Sequence, residues 1–144
     1  MKRPKRKPRR HPGGGAIQFF TCGPWRFNVN KAIALAENRS KYQPEMRRPT
    51  PQWIGPLIDI DAGYVEHSDV GQPVIFATVI QQGQSWPLLI DGNHRVVKAM
   101  RQGMDVPVVT LDLEDTLKVL TAPGDMVQRM RQEGTRLGLI HRQP

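Results

Sequence analysis

Leu88-Leu89-Ile90-Asp91-Gly92-Asn93-His94-Arg95-Val96-Val97-Lys98-Ala99-Met100 changes its hydrophobic period halfway along. An apolar strand stops at Asp91-Gly92, and an amphipathic helix starts beneath His94 and Arg95. Val96, Val97, Ala99 and Met100 make one face of that helix, Arg95, Lys98, Arg101 and Gln102 make the other, and Gly103 supplies a left-handed stop. The first N–H groups of a helix have no intrahelical partner, and the macrodipole adds about half a positive charge there. A strand-to-helix junction of this kind suits phosphate.

Each residue of the junction has two readings. Gly92 allows close approach of backbone to a phosphate, or serves a tight turn at positive φ. Asn93 reads as the N-cap in either case. Arg95 forms a charge-assisted fork with phosphate oxygens, or is a first-turn residue held by Asp91. His94 binds phosphate or shuttles a proton near neutral pH, against a satisfied imidazole. Lys98 extends the basic face, against simple solvation. Asp91, at a strand end, holds Mg²⁺ or deprotonates an attacking hydroxyl, against a turn residue bonding its own backbone. Nothing in the spacing of Asp59, Asp61, Glu66 and Asp69 brings them to Asp91. Trp25, Trp53 and Trp86 offer surfaces for stacking a base, against core or rim packing.

Working upstream, Val74 to Ile80 is a β-branched run, Gln81 to Gln84 contains a glycine, and Trp86 to Ile90 is apolar again, which predicts a hairpin. Pro87 belongs at a strand start or on an unpaired edge. Downstream, Val106, Val108, Val109 and Leu111 predict a strand. The strand-helix-strand order then implies a right-handed crossover with ligands at strand C-terminal ends. Leu113 to Leu120 and Asp125 to Gly134 read as helices separated by Ala122-Pro123-Gly124, with Asp125 as N-cap. Nearer the N-terminus, Ile17 to Phe20 opens the apolar sequence, and Asn30 caps a helix that stops at Asn38. The proline-rich stretch 39–56 reads as an exposed connector. Ile58 and Ile60, alternating with Asp59 and Asp61, suit a short strand or the approach to a turn through Tyr64 to His67.

The chain of 144 residues suits one domain, 16–144, preceded by a disordered basic arm, 1–15. No apolar run approaches the roughly 20 residues of a membrane span, and the N-terminus lacks the apolar core of a secretory signal. Cys22 is the only cysteine. Internal disulfides and cysteine-rich zinc sites are therefore excluded, a cytoplasmic location is expected, and His11, His67, His94 and His141 are too scattered to replace a zinc set. The net charge is +8, but Lys2, Arg3, Lys5, Arg6, Lys7, Arg9 and Arg10 supply seven of the 21 basic residues, leaving 14 against 13 acidic ones. The body is nearly neutral, so attraction to a polyanion such as DNA resides in the arm, whose other reading is a solvated tail.

Over residues 73–113, the order hairpin, Asp91-Gly92-Asn93-His94-Arg95, amphipathic helix, Gly103 and valine-rich strand resembles the ParB/sulfiredoxin superfamily. In that superfamily the helix-start motif binds nucleotide phosphates. Sulfiredoxin-like members carry Gly-Cys-His-Arg there, and ParB partition proteins carry Gly-Glu-Arg-Arg. Gly92 is common to both, Asn93 stands where they have Cys or Glu, His94 matches the sulfiredoxin histidine, and Arg95 matches the terminal arginine of both. An amide at Asn93 cannot act as a thiolate nucleophile, which argues against peroxiredoxin repair. The residues after 113 are too few for the DNA-binding and dimerisation regions of partition proteins. Asp91 is similar to the Asp-Gly-His-type motifs of small members that include a free-serine kinase and plasmid fertility-inhibition proteins with ATPase and nuclease activity.

The resemblance implies an α+β fold, a small mixed sheet with helices. It also implies binding of ATP or CTP with Mg²⁺, with Gly92, Asn93, His94, Arg95 and Lys98 on the phosphates and Asp91 at the metal. Asp91 and His94 become the candidate catalytic pair of an NTPase or nuclease, and the arm associates with DNA. Two alternatives stay open: a non-catalytic DNA-associated adaptor, and a phosphotransferase for a small hydroxyl substrate.

Overall fold

The hairpin forms as expected and lies within a four-stranded sheet. The computed structural model describes residues 16–54 and 71–140. Strands β1 (Phe19–Cys22) and β2 (Trp25–Asn28) lead into helix α1 (Val29–Ala36), followed by β3 (Glu45–Arg47) and a 3₁₀ turn (Pro51–Trp53). Then come β4 (Val74–Gln81), β5 (Gln84–Asp91), α2 (Asn93–Gln102), β6 (Val106–Thr110), α3 (Leu113–Val119), β7 (Leu120–Thr121) and α4 (Met126–Arg136). The chain is an α+β protein whose described residues form two sheets, ordered β1-β2-β7 and β3-β6-β4-β5. The sequence led us to expect one mixed sheet. Its omission is the small antiparallel sheet, whose β7 is only two residues long and pairs with β2 through Arg26↔Thr121 and Phe27↔Leu120. Leu120, expected at a helix end, is in this strand.

β4 explains the layering. Its alternating side chains reach both faces of the larger sheet: Val74 and Phe76 pack with Val96 and Ala99 of α2, whereas Ile75, Ala77 and Val79 join Phe27, Leu111 and Leu117 on the other side. A strand covered on both faces reads as a continuous apolar run rather than an alternation. At the hairpin tip Gln82 (φ 54°) and Gly83 (φ 76°) are both left-handed, the signature of a two-residue type I′ turn. Pro87 lies on edge strand β5 opposite Thr78, where its missing N–H costs no interior ladder bond.

The expected strand-helix-strand crossover is corrected by topology. β5 is antiparallel to β4, and β4 is parallel to β6, so the two strands flanking α2 run in opposite directions with β4 between them. The right-handed rule applies to parallel strands and does not govern this connection. The start of α2 therefore lies at the β4 N-terminus, not at the C-terminal ends of the parallel pair.

Helix caps differ in detail from their sequence readings. Asn28, not Asn30, caps α1 by accepting from the Lys31 N–H at 3.0 Å, while Asn30 Oδ1 accepts from the Gln18 N–H. Asp125 is the N-cap of α4, and Gly103 ends α2 at φ 64°. The connector 39–56 is not wholly irregular, since Glu45 to Arg47 pair with β6 and Tyr42 is buried. Among the described residues no helix is long and apolar enough to cross a membrane. The arm residues 1–15 and the Ile58–Ile60 and Tyr64–His67 readings lie outside the described residues.

Candidate functional site

β5 delivers Asp91 to the turn as its last residue, opposite Ile75, and the register shifts between Ile75 and Phe76. The next residue, Gly92, takes φ 102° and serves as the α2 N-cap. Asn93, expected to be the cap, is instead the first helical residue, because the left-handed step already occurs at Gly92. A Cβ on Gly92 would stand 2.7 Å from Val74 Cγ1 and 2.9 Å from Arg95 Nη2, so a side chain is excluded here by space as well as by φ. Among the described residues no side chain caps α2.

Arg95 is the main departure from the helical-wheel reading. It was expected on the polar face, yet it is only 4% exposed and shares the buried side of α2 with Val96 and Ala99. It lies one helical turn before Ala99 on the inward side of α2, which brings it beneath the junction to the end of β5. Its Nη2 donates to Asp91 Oδ2 and to the Pro73 carbonyl, each at 3.0 Å. Arg95 thus ties the end of β5 and the entry to β4 onto the first turn of α2. Among the described residues its Nε–H is buried without an acceptor, and Gln72 Oε1, next to Pro73 in the chain, is buried without a donor. Buried donors left unmet are uncommon in folded proteins and call for an explanation.

Asp91 is 7% exposed and engaged by a guanidinium. Arg95 therefore neutralises the carboxylate, and among the described residues no group of three His, Cys, Asp or Glu is placed to hold a metal. Asn93, His94 and Lys98 are half-buried around the turn. Asp91 offsets the charge of Arg95, and the helix start adds its own partial positive charge at the turn. Asp59, Asp61, Glu66 and Asp69, and the arm residues Lys2, Arg3, Lys5, Arg6, Lys7, Arg9 and Arg10, lie outside the described residues.

The tryptophans part company. Trp25 is core, Trp86 is 49% exposed on β5, and Trp53 packs against Phe76 with ring centroids 5.0 Å apart at 84°. At the far end of β4 is a groove of about 400 Å³, lined by Cys22, Trp25, Ile80, Met126 and Met130 among others, which includes none of the junction residues.

Sequence reasoning missed a second polar cluster. Asp115, 3% exposed, accepts from Tyr42 Oη at 2.6 Å and from Lys41 Nζ at 3.0 Å, with Lys118 Nζ 3.0 Å from its other oxygen. Tyr42 Oη in turn accepts from the Asp112 N–H at 3.1 Å, and Lys41 also pairs with Asp112. Burial pushes the Asp115 carboxyl up, but the bonds from Tyr42, Lys41 and Lys118 outweigh it and hold the group below the usual carboxylate range. Burial, reinforced by the bond to Asp115, raises the Tyr42 phenol, and hydrogen bonds to Asp112 and Asp115 raise the Lys41 ammonium. A phenol kept protonated and a lysine kept charged are poor bases, so the cluster serves as a clasp between the α1–β3 connector and α3. No local spacing reveals it, because Tyr42 and Asp115 are 73 positions apart.

Comparison with family models, with curated proteins and with solved structures yields no match to this chain.

Proposed function

We propose that the β5–α2 turn binds the phosphates of a nucleoside triphosphate, in the manner of the ParB/sulfiredoxin superfamily that residues 73–113 resemble. The observation that carries this reading is unmet donor capacity at one place: among the described residues α2 starts without a side-chain cap, and the buried Arg95 Nε–H has no acceptor. An anion against the first turn of α2 supplies acceptors to both. Gly92 lets backbone approach, Asn93 and His94 contribute N–H groups, and Lys98 contributes charge. Arg95 has two tasks, holding the turn through Nη2 and offering Nε to the ligand. Mg²⁺ arrives with the nucleotide rather than on Asp91, which the Arg95 pair occupies.

The basic arm makes DNA the second partner in this proposal. Seven cations in the first ten residues stand against a nearly balanced body, and that asymmetry favours polyanion binding by the arm alone. The nucleotide reading is tested by calorimetric titration with ATP, CTP and GTP, with and without Mg²⁺. Saturable binding that weakens in Lys98→Ala is expected. Absence of heat with all three nucleotides overturns it.

A further inference from the structure

We propose that the groove at the far end of β4, away from the phosphate turn, binds a small uncharged ring molecule that is apolar on its faces and carries one hydrogen-bond acceptor. The groove has a volume of about 400 Å³, within the size range of small-ligand sites. Three elements wall it: the β1–β2 turn, the tip of the β4–β5 hairpin and the N-terminal half of α4. Met126 and Met130, one helical turn apart on α4, line it together with Trp25, Ile80 and Cys22. Thioether side chains adapt to irregular partners and make favourable contacts with aromatic rings, which matches them to a flat apolar ligand.

The acceptor is called for by Trp25. Its side chain is 8% exposed and borders the groove, and among the described residues its Nε1–H is buried with no acceptor. Leaving a buried donor unmet costs stability, and indole N–H groups ordinarily find a partner when buried. Trp86 shows the contrast at the same hairpin: although 49% exposed, its Nε1 donates to the Gln81 carbonyl at 3.3 Å. An acceptor brought to the indole edge by a ligand in the groove satisfies Trp25 while its ring stays in the core cluster with Ile80 and Met130. Charge is already balanced there. Arg129 and Glu133, the charged residues of the lining, are paired along α4 with Asp125 at 3.0 Å and Arg136 at 2.6 Å. A neutral donor beside an apolar wall, with no cation to spare, selects a neutral ligand over an anion.

The test uses quinoline and naphthalene, ring systems of the same shape and both uncharged at neutral pH, of which only quinoline carries an acceptor nitrogen. The indole N–H resonances of the full chain are followed during titration with each. The expected result is a saturable downfield shift of the Trp25 signal with quinoline, and an affinity about 3- to 10-fold above that for naphthalene, the gain from one added hydrogen bond. Trp25→Phe keeps a ring without the donor and should remove that preference. Met126→Ala, at a half-buried position, should weaken both ligands, and it tests the site even where the tryptophan variant fails to fold. Failure of quinoline to bind, equal affinity for the two rings in the unaltered chain, a preference that survives Trp25→Phe, or unchanged binding in Met126→Ala overturns the proposal. None of these results bears on the phosphate turn, whose residues the groove does not include.

Discussion

Replacing Arg95 by alanine removes a guanidinium that is 4% exposed and bonded to Asp91 and Pro73 at 3.0 Å each. The Asp91 carboxylate, 7% exposed, then loses that guanidinium. Removing one partner of a buried pair costs about 3–5 kcal/mol, whereas replacing both with apolar residues of similar volume is often neutral or stabilising. Arg95→Ala is accordingly expected to lose about 3–5 kcal/mol, and Asp91→Leu/Arg95→Met to recover most of that loss. At about 2–4 °C per kcal/mol for a chain of this size, the single variant melts some 6–20 °C lower. Urea unfolding at pH 7, analysed as a double-mutant cycle with Asp91→Leu, reads the coupling directly. An Arg95→Ala variant within about 1 kcal/mol of the unaltered protein would show that the pair does not brace the turn. The practical consequence is that loss of ligand binding in Arg95→Ala alone says little about phosphate contact, because the turn itself is undone.

Three further outcomes are expected. Gly92→Ala places a side chain at φ 102° and 2.7 Å from Val74 Cγ1, and should cost about 1–3 kcal/mol or more in urea unfolding; a neutral variant would contradict the close approach. Asp115 is held below its ordinary pKa in the folded state, so its contribution is present above the unfolded value near 3.8 and is lost as pH falls through the depressed folded value. Asp115→Asn should thus flatten the acid limb of the stability curve below about pH 4 and lower stability at pH 7, and an unchanged acid limb would remove the clasp from the account. Deleting residues 1–12 should abolish DNA binding; in the full chain the slope of log affinity against log salt should approach about −6 for seven neutralised phosphates, and a slope near zero would sever DNA from the arm.

Much of the junction was legible because its signals are local. The switch of period at Asp91-Gly92, the glycine at position 103 and the turn between a β-branched run and an apolar one are each fixed by a few adjacent residues, and each appears in the structure. What was missed depends on contacts distant in sequence. Arg95 reads as polar on any helical wheel, and only the presence of Asp91 one turn earlier beneath the same sheet edge makes its burial tolerable. β7 is too short to carry a pattern and exists because β2 is there to pair with it. The antiparallel relation of β5 and β6 follows from insertion of β4 between them, which no periodicity records. The clasp of Lys41, Tyr42, Asp112 and Asp115 joins residues about seventy positions apart.

The central claim, that the start of α2 cradles an anion, is tested most directly by following backbone and arginine-side-chain N–H resonances during titration with ATP. The account predicts saturable shifts centred on the amides of Gly92, Asn93 and His94, together with a downfield move of the Arg95 Nε–H as it gains an acceptor. Saturation of the protein with those four signals unmoved would contradict it.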